Sequence, residues 1–331
     1  MIQETSRLNS IARSELIATL IGNLHAQYVF PSVVEEMALA LYQRQSSGVY
    51  DSIRDAEQFA NTLTEDLQKI SKDKQLVVFY KDPEAASALD DADLSRCAGT
   101  VGAIFNYGFE RVERLAGNIG FLSLHTFFSP TIAIRAAITT MDFIAYTNTL
   151  IIDLRASTGG DPAMVNFFAS YFFSPEPVHL NDIYWRASNS TQQFWTLPFV
   201  PGQRYVDKPI YILTGRHTPA GAEEFAYDLQ SQQRATIIGE PTSGAANPRQ
   251  QFQLTEQFGC WIPVGRAINP ITKTSWEGSG IVPDMEVPAE DAFKAAYTLA
   301  LKHVRAGFNG TSTPVQKRLA KEVQHVLAEL E

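Results

Sequence analysis

The segment LTGRHTPAGAEEFAY, residues 213–227, joins two kinds of periodicity. It continues Ile210, Tyr211 and Ile212 into Leu213, an apolar run with the length and bulk of a buried strand. A polar turn follows. A helix then opens with Glu223 and Glu224 in its first turn, where acidic side chains meet the positive end of the helix dipole. A strand that turns sharply into a helix lifts the residue at its tip out of the sheet and aims backbone N–H groups at the same point. That geometry suits a nucleophile facing an oxyanion. Ala220 lies at the junction of this turn and the helix, three residues before Glu223.

Working outward, strands IGFLSL (119–124), TLIIDL (149–154), PIYILT (209–214) and ATIIG (235–239) alternate with helices near Ile132–Tyr146, Asp161–Phe173 and Gly221–Gln232. This alternation predicts an α/β core with a mainly parallel sheet. Upstream, Leu16, Ile17, Leu20, Ile21, Leu24 and Tyr28 recur at helical spacing, and Pro31 suits the first turn of a second helix. A third helix runs from about Ala56 to Ile70, before a short strand QLVVFY (75–80). KDPEAASALDDADLSRCAGT (81–100) is acidic and rich in small residues, the composition of a connection. The tail 314–331 is an amphipathic helix, with Val315, Leu319, Val323, Val326 and Leu330 on one side, expected to dock on its own domain or to form a dimer contact. The expected organisation is an N-terminal helical subdomain (1–80), an acidic linker (81–105), an α/β core (106–300) and a C-terminal amphipathic helix (301–331).

Composition bounds the partners. The net charge is −9 with no lysine or arginine run, which argues against nucleic acid and anionic membrane. MIQETSRLNSIARSE lacks the apolar centre of a secretory signal, and no run approaches the ~18 apolar residues of a membrane span. Cys97 and Cys260 are too few and too far apart for a disulfide framework or a zinc site. The expectation is a cytoplasmic protein with reduced thiols and neither metal nor organic cofactor, working as a monomer or homodimer.

Several linked segments resemble the tail-specific (C-terminal processing) serine peptidases, and in particular their branch containing the interphotoreceptor retinoid-binding protein modules. They are NYGFERVERLAGNIGFLSL (106–124), DLRASTGGDPAMVNFFASYFF (153–173), the elbow within 204–230, RATIIGEPTSGAANP (234–248) and SWEGSGIVPDMEV (275–287). Their order matches that of the family. The resemblance implies a ββα-spiral core of the crotonase and ClpP type. The chain has no segment after residue 80 long enough for the PDZ module that many of these proteases carry there.

The resemblance also assigns roles, and the chain departs from them. Ala220 falls at the nucleophile's position and its methyl group does no nucleophilic work. The histidine base of the retinoid-binding-protein branch aligns with Gln75, which hydrogen-bonds but accepts no proton at neutral pH. The lysine base of the other branch would fall in TSGAANP (242–248), which has no lysine. Gly159, Gly160 and Gly221 remain as candidate oxyanion-hole residues, and as glycines fitted to a tight turn. Glu277 aligns with a carboxylate that supports catalysis in the tricorn arrangement, or holds its own turn; Glu240 reads as structural.

His125 and His217 flank the core strand ends and are candidates for a replacement acid or base. Tyr184, Trp185, Phe194, Trp195 and Trp276 are candidate lining for an apolar substrate pocket, or ordinary core. Three readings stay open. The first is an enzyme of altered carbonyl chemistry on a small or peptide-derived substrate. The second is a binding module for an apolar ligand or peptide, and the third is a serine peptidase carrying a serine-to-alanine exchange at 220.

Overall fold

The computed structural model describes residues 10–81, 99–308 and 313–330. The first elements are α1 (Ser10–Gln27), α2 (Pro31–Ser46), α3 (Ala56–Ser71), β1 (Val77–Tyr80), β2 (Phe109–Leu115), β3 (Ile119–Leu124), α4 (Pro130–Ile144) and β4 (Thr149–Asp153). They are followed by α5 (Pro162–Ala169), β5 (His179–Trp185), β6 (Ser190–Trp195), β7 (Ile210–Thr214), α6 (Ala220–Ser231) and β8 (Thr236–Gly239). The last are β9 (Arg249–Gln253), β10 (Phe258–Pro263), β11 (Gly265–Ile268), β12 (Met285–Glu286), α7 (Ala289–Ala306) and α8 (Pro314–Leu330).

The described residues cluster into two units. One holds residues 10–81 with Ile183–Gln192 and Asn247–Ala267. Its helices begin where their sequences dictate. Pro31 opens α2, and the Asp55 carboxylate caps α3 by accepting the Gln58 N–H at 2.7 Å. Leu16, Leu20 and Leu24 of α1, Met37 of α2, and Leu63 and Leu67 of α3 bury their side chains together with Phe258, Cys260 and Ile262 of β10. β10 lies between β1 and β9, antiparallel to both. Two strands from late in the chain therefore complete the core of the N-terminal helices.

The other unit is built on a six-stranded sheet of order β12-β8-β7-β4-β3-β2. All neighbours are parallel except β2, which runs antiparallel to β3 at one edge. Alternate residues point to opposite faces of such a sheet. Ile119, Phe121, Ile151, Leu213 and Ile238 pack under α7, and α8 docks there through Val323 and Leu327. The C-terminal half of the tail helix thus packs on its own unit, with Val326 and Leu330 partly buried there, while Val315 at the start of the expected stripe is exposed. α5 and α6 pack through an aromatic cluster of Phe127, Phe168, Phe172 and Phe225.

The α/β architecture with a mainly parallel sheet and an N-terminal helical region is the one the periodicity predicts. Two features differ in detail. Residues 99–104, within the expected acidic connection, are helical. The pair β5 and β6 lacks a strand signature because most of β6 is solvent-exposed and polar. Most of the acidic segment and Cys97 lie outside the described residues. Among the described residues, no helix is long and apolar enough to cross a membrane.

Candidate functional site

The connection from β7 to α6 is held at its centre by Thr218, which is fully buried. Its hydroxyl donates to the Leu154 carbonyl at 2.9 Å and accepts the Gly215 N–H at 3.0 Å. The chain then swings out, so that Ala220 is exposed with φ 45°. A Cβ-bearing residue in this left-handed region costs on the order of 1 kcal/mol or more, because Cβ crowds the backbone. The sharp strand-to-helix elbow expected from sequence is present, and its tip is strained.

Glu223 holds the elbow in place. Its side chain is fully buried and collects five donors. It reaches back to the Ala220 N–H at 2.9 Å, in the manner of a capping box. It also accepts from the Thr242 hydroxyl at 2.5 Å, the Ser243 hydroxyl at 3.2 Å, and the N–H groups of Gly244 and Ala245 at 2.7 and 2.8 Å. One carboxylate thereby binds the start of α6 to the loop after β8. Glu277 serves the same loop, accepting the Ala246 N–H at 2.8 Å. Glu240 pairs with Arg216 at 2.5 Å, and these hydrogen bonds hold its carboxyl below the usual range.

Gly159 and Gly160 form the facing wall. Both have positive φ, 85° and 139°. Phe127 holds them from one side, donating its N–H to the Gly159 carbonyl and accepting the Asp161 N–H. A Cβ on Gly160 would lie 2.3 Å from the Phe127 carbonyl oxygen. One on Gly159 would lie 3.1 Å from the Ala220 methyl, and one on Gly221 would lie 2.8 Å from the Gly160 carbonyl oxygen. Only glycines let these two turns touch. Among the described residues, the N–H groups of Gly160 and Gly221 have no hydrogen-bond partner. Gly221 lies in the first turn of α6, whose dipole adds positive potential. Two free amide donors beside an exposed methyl can polarise a carbonyl oxygen or hold an anionic one.

The other expected residues are placed as follows. The His125 carbonyl accepts from the Thr158 N–H at 2.7 Å and the Ser157 hydroxyl at 3.0 Å, so His125 runs alongside the glycine wall. Its Nδ1 lies 3.8 Å from Glu110. His217 is exposed on the elbow. Gln75, in the N-terminal unit, donates its side-chain amide to the Asn247 carbonyl at 3.1 Å and its backbone N–H to Asp73 at 2.9 Å. Burial pushes the Asp73 carboxyl up.

The aromatic residues have separate partners. Tyr184 donates to Asn189 and Trp185 to Gln192, each at 3.1 Å. Trp195 stacks on His179 with ring centres 4.3 Å apart, Phe194 is half-buried, and Trp276 is buried against Tyr227. Among the described residues, no group of three or more His, Cys, Asp or Glu side chains is arranged to hold a metal ion. The hub role of Glu223 is not legible in the sequence, although its place three residues after Ala220 is the spacing of a capping box.

The chain has relatives in sequence and in fold. The carboxyl-terminal-processing protease of Synechocystis is 27% identical over 176 residues, which is 50% of this chain and 39% of that protein. Carboxyl-terminal-processing peptidase 2, chloroplastic, of Arabidopsis thaliana is 26% identical over 174 residues, 51% of this chain and 32% of that protein. The chain spans less than half the length of either relative. The crystal structure of a protein from Parabacteroides merdae superposes with a TM-score of 0.65 at 17% identity, over 90% of this chain and 99% of that one. The photosystem II D1 C-terminal processing protease superposes with a TM-score of 0.55 at 13% identity, over 84% and 94%. These two structures share the fold. Residues 10–105 match the N-terminal domain of peptidase S41 in eukaryotic IRBP, the segment that supplies the helices of the N-terminal unit. Residues 118–287, which contain both glycine turns, the elbow and its Glu223 hub, match Peptidase family S41, and the chain belongs to that family.

Proposed function

We propose that this S41 family chain binds a small or peptide-derived ligand by polarising its carbonyl group, and forms no acyl-enzyme. The observation that carries this reading is the exposed methyl of Ala220, at φ 45°, beside the unpaired N–H groups of Gly160 and Gly221. An acyl-enzyme requires a new bond from a side-chain oxygen or sulfur to the carbonyl carbon, and the methyl has no lone pair to supply it. The donors that stabilise negative charge on the carbonyl oxygen need no nucleophile.

Proton transfer to or from the polarised ligand is assigned to His125, whose Nδ1 lies 3.8 Å from Glu110, since Gln75 accepts no proton. No metal or organic cofactor enters the scheme. The expected setting is the cytoplasm, with the chain a monomer or homodimer.

The test is intact-mass spectrometry of the full chain with a peptide p-nitrophenyl ester, alongside the Ala220→Ser variant. The reading expects no acyl adduct and no ester turnover above background for the unchanged chain. An adduct on the unchanged chain, or peptide hydrolysis that disappears in Gly160→Ala, contradicts it.

A further inference from the structure

The elbow helix has a second charged face that the proposed chemistry does not use. Glu224 and Asp228 are one helical turn apart on α6, so their side chains stack on the same side. Glu224 is 6% exposed and Asp228 1%. Like charges at this spacing repel even in water, and burial raises the cost steeply. Isolated buried carboxylates are tolerated when a cation pairs with them or a proton neutralises them.

Among the described residues, no cation pairs with either group. Asn181 on β5, itself 1% exposed, donates its amide to Glu224 at 3.4 Å. The Oδ1 of Asn181 and the Oδ1 of Asp228 are both buried without a partner. The surrounding charges offer no relief. Asp161, at the start of α5, adds a further negative charge toward Glu224. α5 and β8 carry no ionisable side chain. On β5, His179 and Asp182 are paired with each other at 2.7 Å. Arg234, just past α6, is committed to the carbonyls of Phe172, Lys208 and Tyr205. A buried cluster of acceptors short of donors is completed most simply by protons. A protonated Glu224 donates to Asn181 Oδ1 once that amide turns over, and a protonated Asp228 ceases to repel Glu224.

We propose that the Glu224–Asp228 pair is a proton-holding latch, which keeps α6 packed against α5 and β5 while protonated and loosens it, and the elbow at its head, when both carboxyls ionise. Burial pushes the Glu224 carboxyl up to about 7, and burial together with Glu224 pushes Asp228 well up. The sign follows from proton counting. Between the ordinary carboxylate value and these raised values the folded chain holds more protons than the unfolded one, so stability falls as pH rises through that window. The loss sets in above the unfolded value and grows until pH passes the folded ones.

The experiment is hydrogen exchange on peptides covering residues 220–231 of the full chain, from pH 5 to 8.5, with intrinsic rates divided out. The variants are Glu224→Gln, Asp228→Asn and their combination. The latch predicts that protection in the unchanged chain falls about tenfold per pH unit for each proton held, and that the double variant shows no such slope. A slope absent from the unchanged chain, or preserved in a folded double variant, overturns the proposal. So does α6 protection at constant pH that depends on added calcium or sodium chloride, because the acceptors then hold a cation. If the double variant does not fold, carboxyl ¹³C titration of the unchanged chain still decides. Glu224 titrating above 6 supports the latch, and titration near 4 refutes it.

Discussion

The backbone N–H of Ala220 donates to the carboxylate of Glu223 at 2.9 Å, and that same buried carboxylate holds the N–H groups of Gly244 and Ala245. The residue at the strained tip is therefore fixed by the residue that fixes the neighbouring loop. Glu223→Gln replaces one acceptor oxygen by an N–H₂ group and leaves buried amide donors facing a donor. The expected cost is about 2–4 kcal/mol, from one or two buried groups left unsatisfied. Urea denaturation measures it, and amide exchange at Gly244 and Ala245 should accelerate in the same variant.

Ala220 is strained where a helix would ordinarily welcome alanine. Alanine-to-glycine changes within helices cost about 0.5–1 kcal/mol. At φ 45° the sign should reverse, because glycine adopts the left-handed region without penalty. Ala220→Gly is expected to be neutral or stabilising by up to about 1 kcal/mol. A loss of about 1 kcal/mol or more in chemical denaturation, on the scale of a helix-interior exchange, would show that the tip is not strained.

Gly160 and Gly22 give opposite expectations for the same exchange. A Cβ on Gly160 meets the Phe127 carbonyl at 2.3 Å with φ already at 139°, so Gly160→Ala must displace backbone and should cost more than about 2 kcal/mol. Gly22 lies in α1, where a methyl group would have no neighbour within 4 Å, and Gly22→Ala should stabilise by about 0.5–1 kcal/mol. Paired melting curves compare them directly.

Cys260 is fully buried in β10, and burial pushes its thiol up to about 12. In a Cys97→Ser background it should react with an aromatic disulfide reagent only as fast as the N-terminal unit opens, because the thiolate is the reactive form. Rapid labelling under native conditions would contradict this placement.

Much of the fold was legible because its elements are locally consistent. Apolar runs flanked by turns gave the core strands, and the 3.6-residue period gave α1, α3 and α8. What was hidden depends on direction and distance. Glu223 and Glu224 are adjacent and chemically alike, yet successive helix residues point about 100° apart, at 3.6 residues per turn. One gathers five donors at the elbow, and the other is buried beside Asp228. No local pattern separates them. The strands β9 and β10 join the N-terminal helices through contacts far apart in sequence, which periodicity does not report. For the site, the glycines and the alanine at position 220 were readable as residue types. The free amide donors were not, since they follow from where every other backbone group found its partner.

Whether the elbow polarises a carbonyl without attacking it is most directly measured by ¹³C NMR of a peptide methyl ketone, labelled at its carbonyl carbon, titrated with the full chain. The predicted result is a resonance that stays in the carbonyl region and moves to higher frequency on binding, a shift lost in Gly160→Ala. A resonance that moves to the tetrahedral-carbon region would mean that a nucleophile adds to the ketone, and would contradict polarisation without attack.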